Sequence, residues 1–346
     1  MKYDITFHPS WWHKNAGICF TQDFFDEPEY RMDCDVKMRK VLYECFGEYG
    51  IGEKNPQKRP LLGSDLLAAG YLYSELFGCE IIYEKDNSPQ VICQNLDEEE
   101  MEEVQVPELS KSPVWQRTAT QLEYLKTHYG NVETYVNLMG IQNIAMDIMG
   151  QNVLMAYYSA PEETKELLKK ITDLTISVGK EFQKYSRSLS GGVTGVVQKV
   201  MPECYLTSNC SVEMISNQIY EEFLLECDQR LADTFGNFGI HHCGGTMEHV
   251  ADGYAKVNGL VFAEVGAGSD IRAVREKLPD IWLNARFSPV DLKEVSVSKI
   301  EEKVNLLVRE GKNPEGKISV SCVGIDADVE IEQVCAFLKA CQKVVL

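Results

Sequence analysis

A histidine and a cysteine two positions apart, His241 and Cys243, are the residues of this sequence best suited to hold a metal ion. Zinc accepts imidazole nitrogen and thiolate sulfur, and three protein ligands leave a fourth position open for chemistry. Side chains of a β-strand alternate between its two faces, so these two point the same way while His242 points to the opposite face. Gly244 and Gly245 follow and mark a sharp turn where the strand ends.

A third ligand must come from a distant part of the chain, and Cys322 is the candidate. It ends the run 318–322, which is typical of a buried strand, and Gly324 follows. The carboxyl ends of parallel strands open on one side of a sheet, where functional residues gather. We therefore expect His241, Cys243 and Cys322 to bind one Zn²⁺. The alternative is that the histidines cap a loop and Cys322 is a small core residue.

Polar side chains also lie near the ends of two neighbouring strand candidates. Glu264 is close to the end of one, and Asn284 and Arg286 share a face of the next. Such residues either line a pocket or form a hydrogen-bonded network inside a barrel. We expect Glu264 to be a catalytic carboxylate, and Asn284 and Arg286 to bind substrate. A guanidinium suits a carboxylate or sulfonate because it can donate two parallel hydrogen bonds.

The elements that carry these residues alternate between strands and helices. The strand candidates are 239–243, 258–265, 281–287 and 318–323. Helical segments between them predict parallel βαβ units and an α/β fold. Weaker strand candidates lie at 132–139 and 193–199. The expected architecture is a (β/α)₈ TIM barrel over 61–346, with a largely helical amino-terminal extension over 1–60 packed on it as part of a single domain.

Composition excludes several classes of partner. The formal net charge of −19 repels phosphate backbones and anionic lipid headgroups, so neither a nucleic-acid nor a membrane-surface role is expected. The sequence has no apolar run of about 18 residues, and its amino terminus lacks the basic and apolar regions of a signal peptide. The 12 cysteines are typical of reduced thiols, so we expect a cytoplasmic protein.

Three segments of the chain resemble the uroporphyrinogen decarboxylase superfamily, with a similarity that runs from about Leu61 to the carboxy terminus. The segment 64–67, Ser-Asp-Leu-Leu, resembles the superfamily's Ser-Asp-Ile-Leu. The segment 76–80, Leu-Phe-Gly-Cys-Glu, resembles the Leu-Gly-x-x-x that follows it, and 283–290 is similar to a Gly-Asn-Leu-Asp-Pro segment. This resemblance implies the (β/α)₈ barrel fold.

Within the superfamily, the chain is most similar to the zinc-dependent cobamide methyltransferases of the methylcobalamin:coenzyme M type. The zinc ligands of that branch, a His-x-Cys and a later cysteine, fall here on His241, Cys243 and Cys322. The resemblance implies an enzyme that moves a methyl group between a corrinoid protein and a small thiol or an O-, N- or S-methylated substrate. Because the sequence has no Asp-x-His-x-x-Gly segment of corrinoid-carrying domains, we expect the corrinoid on a separate partner protein.

The same resemblance assigns three further residues. Asp65 matches the aspartate that holds pyrrole nitrogens in the decarboxylases and is a candidate catalytic residue, although it could instead cap a following helix. Asn209 and Tyr220 flank the mouth of the barrel as candidate substrate-binding residues. Two alternatives stay open: decarboxylation without a metal, anchored by Asp65, and a non-catalytic binding protein of the same fold. The segment 7–14 lacks the arginines that grip substrate carboxylates in the decarboxylases.

Overall fold

The computed structural model describes residues 1–186, 188–189 and 195–345. Its strands are β1 (Lys2–Phe7), β2 (Leu61–Gly63), β3 (Glu80–Ile82), β4 (Gln90–Ile92), β5 (Glu133–Tyr135), β6 (Leu138–Met139), β7 (Tyr205–Ser208), β8 (Phe238–His242), β9 (Leu260–Val265), β10 (Trp282–Phe287) and β11 (Ile318–Ile325).

Its helices are α1 (Pro9–Ala16), α2 (Gln22–Asp26), α3 (Pro28–Phe46), α4 (Leu72–Leu76), α5 (Glu98–Glu103), α6 (Pro113–Tyr129), α7 (Ile141–Met149), α8 (Asn152–Ser159), α9 (Pro161–Gln183), α10 (Val196–Val200), α11 (Asn217–Ile219), α12 (Leu225–Phe235), α13 (Ala251–Tyr254), α14 (Ile271–Lys277), α15 (Pro289–Glu294), α16 (Val297–Gly311) and α17 (Ile331–Lys343). A π-helical turn, Tyr220–Leu224, joins α11 to α12. None of the helices in the described part of the chain is long and apolar enough to cross a membrane.

Seven of the strands form one curled parallel sheet in the order β1-β11-β10-β9-β8-β7-β6. β2 pairs in parallel with β5, which precedes β6 along the same stretch of chain. The helices alternate with the strands, as parallel pairing requires, and the expected α/β fold is confirmed. Among the described residues no strand pairing joins β1 to β2, so closure into a complete (β/α)₈ barrel stays a prediction.

The first 60 residues supply a strand of this sheet as well as helices. β1 pairs with β11 from Lys2 opposite Ser319 to Phe7 opposite Ile325. β1 is an edge strand of the sheet, and its Ile5 and Phe7 side chains are buried. The division of the chain into an extension over 1–60 and a barrel over 61–346 stays a prediction. The helices α1 to α3 follow, and Trp12 on α1 donates a hydrogen bond from Nε1 to the Leu66 carbonyl at 3.2 Å.

The two weaker strand candidates have different outcomes. The segment 132–139 contains β5 and β6, which confirms the first. In the second, residues 193–194 lie outside the described residues, and the remainder contains α10, so that prediction is wrong for the part described. Val196 and Val197 pack against Leu206 of β7 in a small apolar cluster. A short apolar run fits a buried helix as well as a strand, so periodicity could not distinguish them.

Candidate metal centre

Strand β8 carries the histidine pair, and alternation separates the two rings as predicted. His241 lies opposite Ser208 of β7 and Glu264 of β9 in the strand register. His242 points the other way: its Nδ1 is 3.0 Å from the Tyr254 hydroxyl and its Nε2 is 3.2 Å from the Thr246 carbonyl. Burial lowers the pKa of His242 to about 4, so this ring is neutral at physiological pH.

Three side chains that can bind a metal converge at the carboxyl ends of β7 and β8. They are Cys210, His241 and Cys243, whose candidate ligand atoms all lie within 4.8 Å of one another. The Sγ atoms of the two cysteines are 2.8 Å apart. In the part of the chain that the structure describes, no other group of three histidine, cysteine or carboxylate residues is arranged in this way.

Cys210 was missed in the sequence analysis, because the strand before it, 205–208, was not among the strand candidates and its pairing with the His241 strand was not expected. The register between β7 and β8 ends with Ser208 opposite His241, and two residues further along each segment Cys210 lies beside Cys243. The backbone N–H of Asn209 donates a hydrogen bond to the His241 carbonyl at 2.7 Å. This bond holds the two segments together just beyond the end of β7. A cysteine just after the preceding strand was therefore the residue to look for.

Cys322 is not part of this group, and the prediction that it joins His241 and Cys243 is corrected. β11 continues to Ile325, so Cys322 lies within the strand and is fully buried. Its neighbour in the register, Phe287, packs on Phe337 of α17 with ring centroids 5.3 Å apart. Cys322 therefore faces the helix layer, and burial raises the pKa of its thiol to about 12.

Glu264 lies directly behind His241. It is fully buried, and its Oε2 is 2.6 Å from His241 Nδ1. This contact directs the proton to Nδ1 and leaves Nε2 as the nitrogen available to a ligand. Burial lowers the pKa of His241, but the Glu264 carboxylate and Cys243 outweigh burial and raise that pKa to about 9. Glu264 thus orients the imidazole, which is the role of a positioning residue.

Each of the two thiols of the centre changes the pKa of the other. A hydrogen bond between the two sulfurs lowers the pKa of Cys243 and raises the pKa of Cys210. The charges of His241 and Arg286 also lower the pKa of Cys243. Cys243 is therefore held as a thiolate, the form in which cysteine binds metals and acts as a nucleophile.

A cavity of about 530 Å³ opens over the centre. Cys210, His241 and Cys243 form part of its wall, together with Arg286. The Arg286 side chain is 11% exposed, and its Nε is 3.6 Å from Glu264 Oε1. This volume lies within the range of small-molecule sites. Arg286 is thus a cavity residue, as expected, although its contact with a substrate stays a prediction.

Asn209, Tyr220 and Asn284 are not among the residues that line the cavity. Asp228 Oδ2 accepts hydrogen bonds from Asn209 Nδ2 at 2.9 Å and from the Tyr220 hydroxyl at 2.7 Å. Asn284 exchanges hydrogen bonds with serines of β11, including one from its Nδ2 to Ser321 Oγ at 2.8 Å. All three amide or hydroxyl groups are buried, so the expected substrate contacts are replaced by internal networks.

The Asp65 carboxylate forms a salt bridge with Arg59. Arg59 binds it with Nη2 to Oδ1 at 2.5 Å and also binds Asp35 with Nη2 to Oδ1 at 2.7 Å. Asp65 lines a different cavity from that of the metal centre. No helix begins at Asp65, since α4 starts at Leu72, so helix capping is excluded as well.

Comparison with known proteins agrees with this fold. The family model described as Uroporphyrinogen decarboxylase (URO-D) matches residues 66–344. A methyltransferase from Methanosarcina mazei shares the fold with a TM-score of 0.64 and 16% sequence identity, over 98% of this chain and 91% of that chain. A B12-independent methionine synthase from Shewanella sp. W3-18-1, solved in complex with selenomethionine, gives a TM-score of 0.50 and 9% identity, over 98% and 97% of the two chains.

A search of curated proteins gives no significant match. The two solved structures indicate a shared fold at these low identities, whereas the family model spans most of the sequence. The resemblance stated from the sequence segments is thereby confirmed at the level of the family. This chain belongs to the uroporphyrinogen decarboxylase (URO-D) family.

Proposed function

We propose that this protein is a zinc-dependent methyltransferase that moves a methyl group between a corrinoid protein and a small thiol or an O-, N- or S-methylated substrate. The observation that carries the proposal is the convergence of two sulfurs and one imidazole, from Cys210, Cys243 and His241, at the wall of a cavity. The fold shared with a methyltransferase supports the reaction class.

The donor set fits zinc. Two thiols and one imidazole are ligands that zinc prefers, and three protein ligands are typical of its catalytic sites. The carboxylate of Glu264 on His241 Nδ1 matches the outer contact that metal-bound histidines usually make. When bound, zinc supplies a positive charge that keeps a substrate thiol deprotonated or polarises the heteroatom of a methylated substrate.

The protein's own residues have separate tasks in this proposal. Cys243 is held as a thiolate by its neighbours, and Glu264 fixes the orientation of His241. The cavity admits a small molecule beside them, and Arg286 places a positive charge on its wall. A methyl group moves only when donor and acceptor are aligned, so positioning the substrate is a large part of the catalysis.

The rival activities have less support. Decarboxylation anchored by Asp65 requires that carboxylate to be free for a ligand, whereas Arg59 binds it and it lies outside the cavity of the metal centre. A protein that binds zinc and substrate without reaction is distinguished by an activity assay. Because one structural neighbour is named as B12-independent, the assay should include both corrinoid and non-corrinoid methyl donors.

Zinc content of the purified protein tests the proposed site. We expect about one zinc ion per chain in the natural protein, and its loss in Cys210→Ala and Cys243→Ala. Cys322→Ala is the matched control: it removes the same thiol from the opposite face of the sheet and should retain zinc. Zinc retained in Cys210→Ala but lost in Cys322→Ala would reject this ligand set.

Methyl transfer is then measured with the zinc-loaded protein. Methylcobalamin, or a methylated corrinoid protein, is supplied with small thiols, and demethylation of the corrinoid is followed by its visible absorption. We expect turnover that disappears in Cys243→Ala. Zinc binding without turnover for any donor would favour the binding-protein alternative.

A further inference from the structure

We infer that Asn137 and Asn143 are substrate-binding residues. Their side-chain NH₂ groups and the guanidinium of Arg286 are hydrogen-bond donors on the wall of one cavity, and together they select a small ligand that carries an oxyanion. These two asparagines line the same cavity as the metal centre. The inference rests on the proposed function for the identity of the cavity as the active site. It names the residues that decide which ligands the cavity accepts.

The amide of Asn143 has a fixed orientation. Asn143 lies on the first turn of α7, and its Oδ1 accepts hydrogen bonds from the Ser211 backbone N–H at 2.9 Å and from Ser211 Oγ at 2.6 Å. A backbone N–H is always a donor, so the atom that faces it must be the amide oxygen. The NH₂ group of Asn143 is therefore on the other side of the amide, available to a ligand in the cavity.

Asn137 is held in a similar way between β5 and β6. Its Oδ1 accepts a hydrogen bond from Ser208 Oγ at 2.9 Å. Its Nδ2 faces Gly70, another residue of the cavity wall. A Cβ atom at Gly70 would lie only 3.0 Å from that nitrogen, so glycine leaves the NH₂ group uncrowded.

Both amides lie close to the sulfur ligands. Ser208 and Ser211, which hold them, flank Cys210 in the sequence at the carboxyl end of β7. Arg286 lies on the wall of the same cavity as Cys210 and Cys243. The donors therefore line the same cavity as the metal centre, where a substrate would bind.

The wall of this cavity differs in charge from the rest of the molecule. The protein has a formal net charge of −19, yet the described residues that line the cavity include no aspartate or glutamate. Amide NH₂ and guanidinium groups need acceptors, and a ligand that offers only donors would leave them unsatisfied. A carboxylate or a related oxyanion supplies several acceptors and is attracted by Arg286.

Alkylation of Cys243 by two probes of nearly equal size tests this inference. Iodoacetate carries a carboxylate where iodoacetamide carries a neutral amide, and in both cases the thiolate sulfur bonds to carbon as iodide leaves. The full-length protein is first treated with a chelator to free Cys243, and modified peptides are quantified by mass spectrometry. The iodoacetate-to-iodoacetamide rate ratio is normalised to free N-acetylcysteinamide in the same solution.

We expect a normalised ratio well above that of the free thiol in the natural protein. It should fall about three- to tenfold in Asn143→Asp and in Asn137→Asp, because a donor beside the bound carboxylate becomes a negative charge. Each aspartate keeps the acceptor oxygen that binds Ser211 or Ser208, so the local scaffold is retained. Because both probes attack the same thiolate, a change in the pKa of Cys243 cancels in the ratio.

Asn237→Asp is the control for added charge, since Asn237 is exposed at the amino end of β8. It should leave the ratio unchanged, and Asn143→Ala should lower it without adding any charge. A ratio equal to that of the free thiol, or one unaffected by both cavity substitutions, overturns the inference. The test needs neither zinc nor methyl transfer, so a protein that binds no zinc would contradict the proposed function alone.

Discussion

The direction of each side chain on β11 decides which residues reach the metal centre. Ser321 of this strand contacts Asn284 and lies 3.5 Å from Glu264, on the inner side. The next residue, Cys322, must therefore face outward, because neighbouring residues of a strand occupy opposite faces. Cys210 lies beyond the end of β7, where the chain is not restricted by pleating, and its sulfur can turn toward Cys243.

At the scale of single residues, Glu264→Gln should weaken zinc binding about 10- to 100-fold without changing the metal ligands themselves. Glutamine cannot supply the negative charge that holds the His241 imidazole. Competition with a zinc-binding dye measures the effect, and Glu276→Gln, an exposed change of the same kind on α14, is the control. Equal affinity in both variants would show that the carboxylate does not support the site.

The stability of the metal-free protein should depend on pH because of the contact between His241 and Glu264. The pKa of His241 is raised from 6.5 to about 9 in the folded state, so its contribution to stability is fully present below pH 6.5 and is lost as pH rises through 9. Chemical unfolding of the metal-free protein between pH 6 and 10 should therefore show a decline that Glu264→Gln lacks. A parallel decline in both proteins would contradict the assignment.

At the scale of elements, α12 is tied to the turn that carries Cys210. Asp228 on this helix accepts hydrogen bonds from Asn209, the residue before Cys210, and from Tyr220 in the π-helical turn. One buried carboxylate thus connects a helix, a turn and the end of β7. The residues assigned to substrate binding from the family resemblance, Asn209 and Tyr220, instead serve this internal connection.

Burial raises the pKa of Asp228 from 3.8 to about 6, and a stability effect follows. A raised pKa in the folded state means that stability is fully present below pH 3.8 and is lost as pH rises through 6. Asp228→Asn can keep both hydrogen bonds on one oxygen, so it should be about 1 to 3 kcal/mol more stable than the natural protein at pH 7. Urea unfolding at pH 4, 5.5 and 7 measures the difference.

That stability gain should vanish near pH 4, where the carboxyl group is already protonated. Asp233→Asn, an exposed change on the same helix, is the control and should have little effect at any pH. If Asp228→Asn is less stable than the natural protein at every pH, the carboxylate is needed as an anion.

At the scale of the whole molecule, the sheet depends on the first residues of the chain. β1 covers the edge of β11 along its length, and Trp11 and Trp12 on α1 are buried beneath it. We therefore predict that the fragment 61–346 does not fold by itself, since an open β11 edge and a large apolar surface would be exposed. Circular dichroism and cooperative thermal unfolding measure this.

Residues 1–60 added as a separate chain provide the control for that fragment. They should restore cooperative unfolding if the loss of β1 and its helices is the cause. A fragment that unfolds cooperatively without them would instead support a separate domain boundary at residue 60.

The sequence by itself determined the parallel α/β architecture and the common face of His241 and Cys243, because these depend on local periodicity. The inward directions of Glu264 and Arg286 followed from the same rule. The identity of the third sulfur depended on the register between β7 and β8 and on the face of β11 that meets α17. Asn137 and Asn143 likewise form hydrogen bonds with serines that lie 71 and 68 residues away in the chain. Only the tertiary structure decided these features, because alternation along a strand does not say which face is covered by a helix.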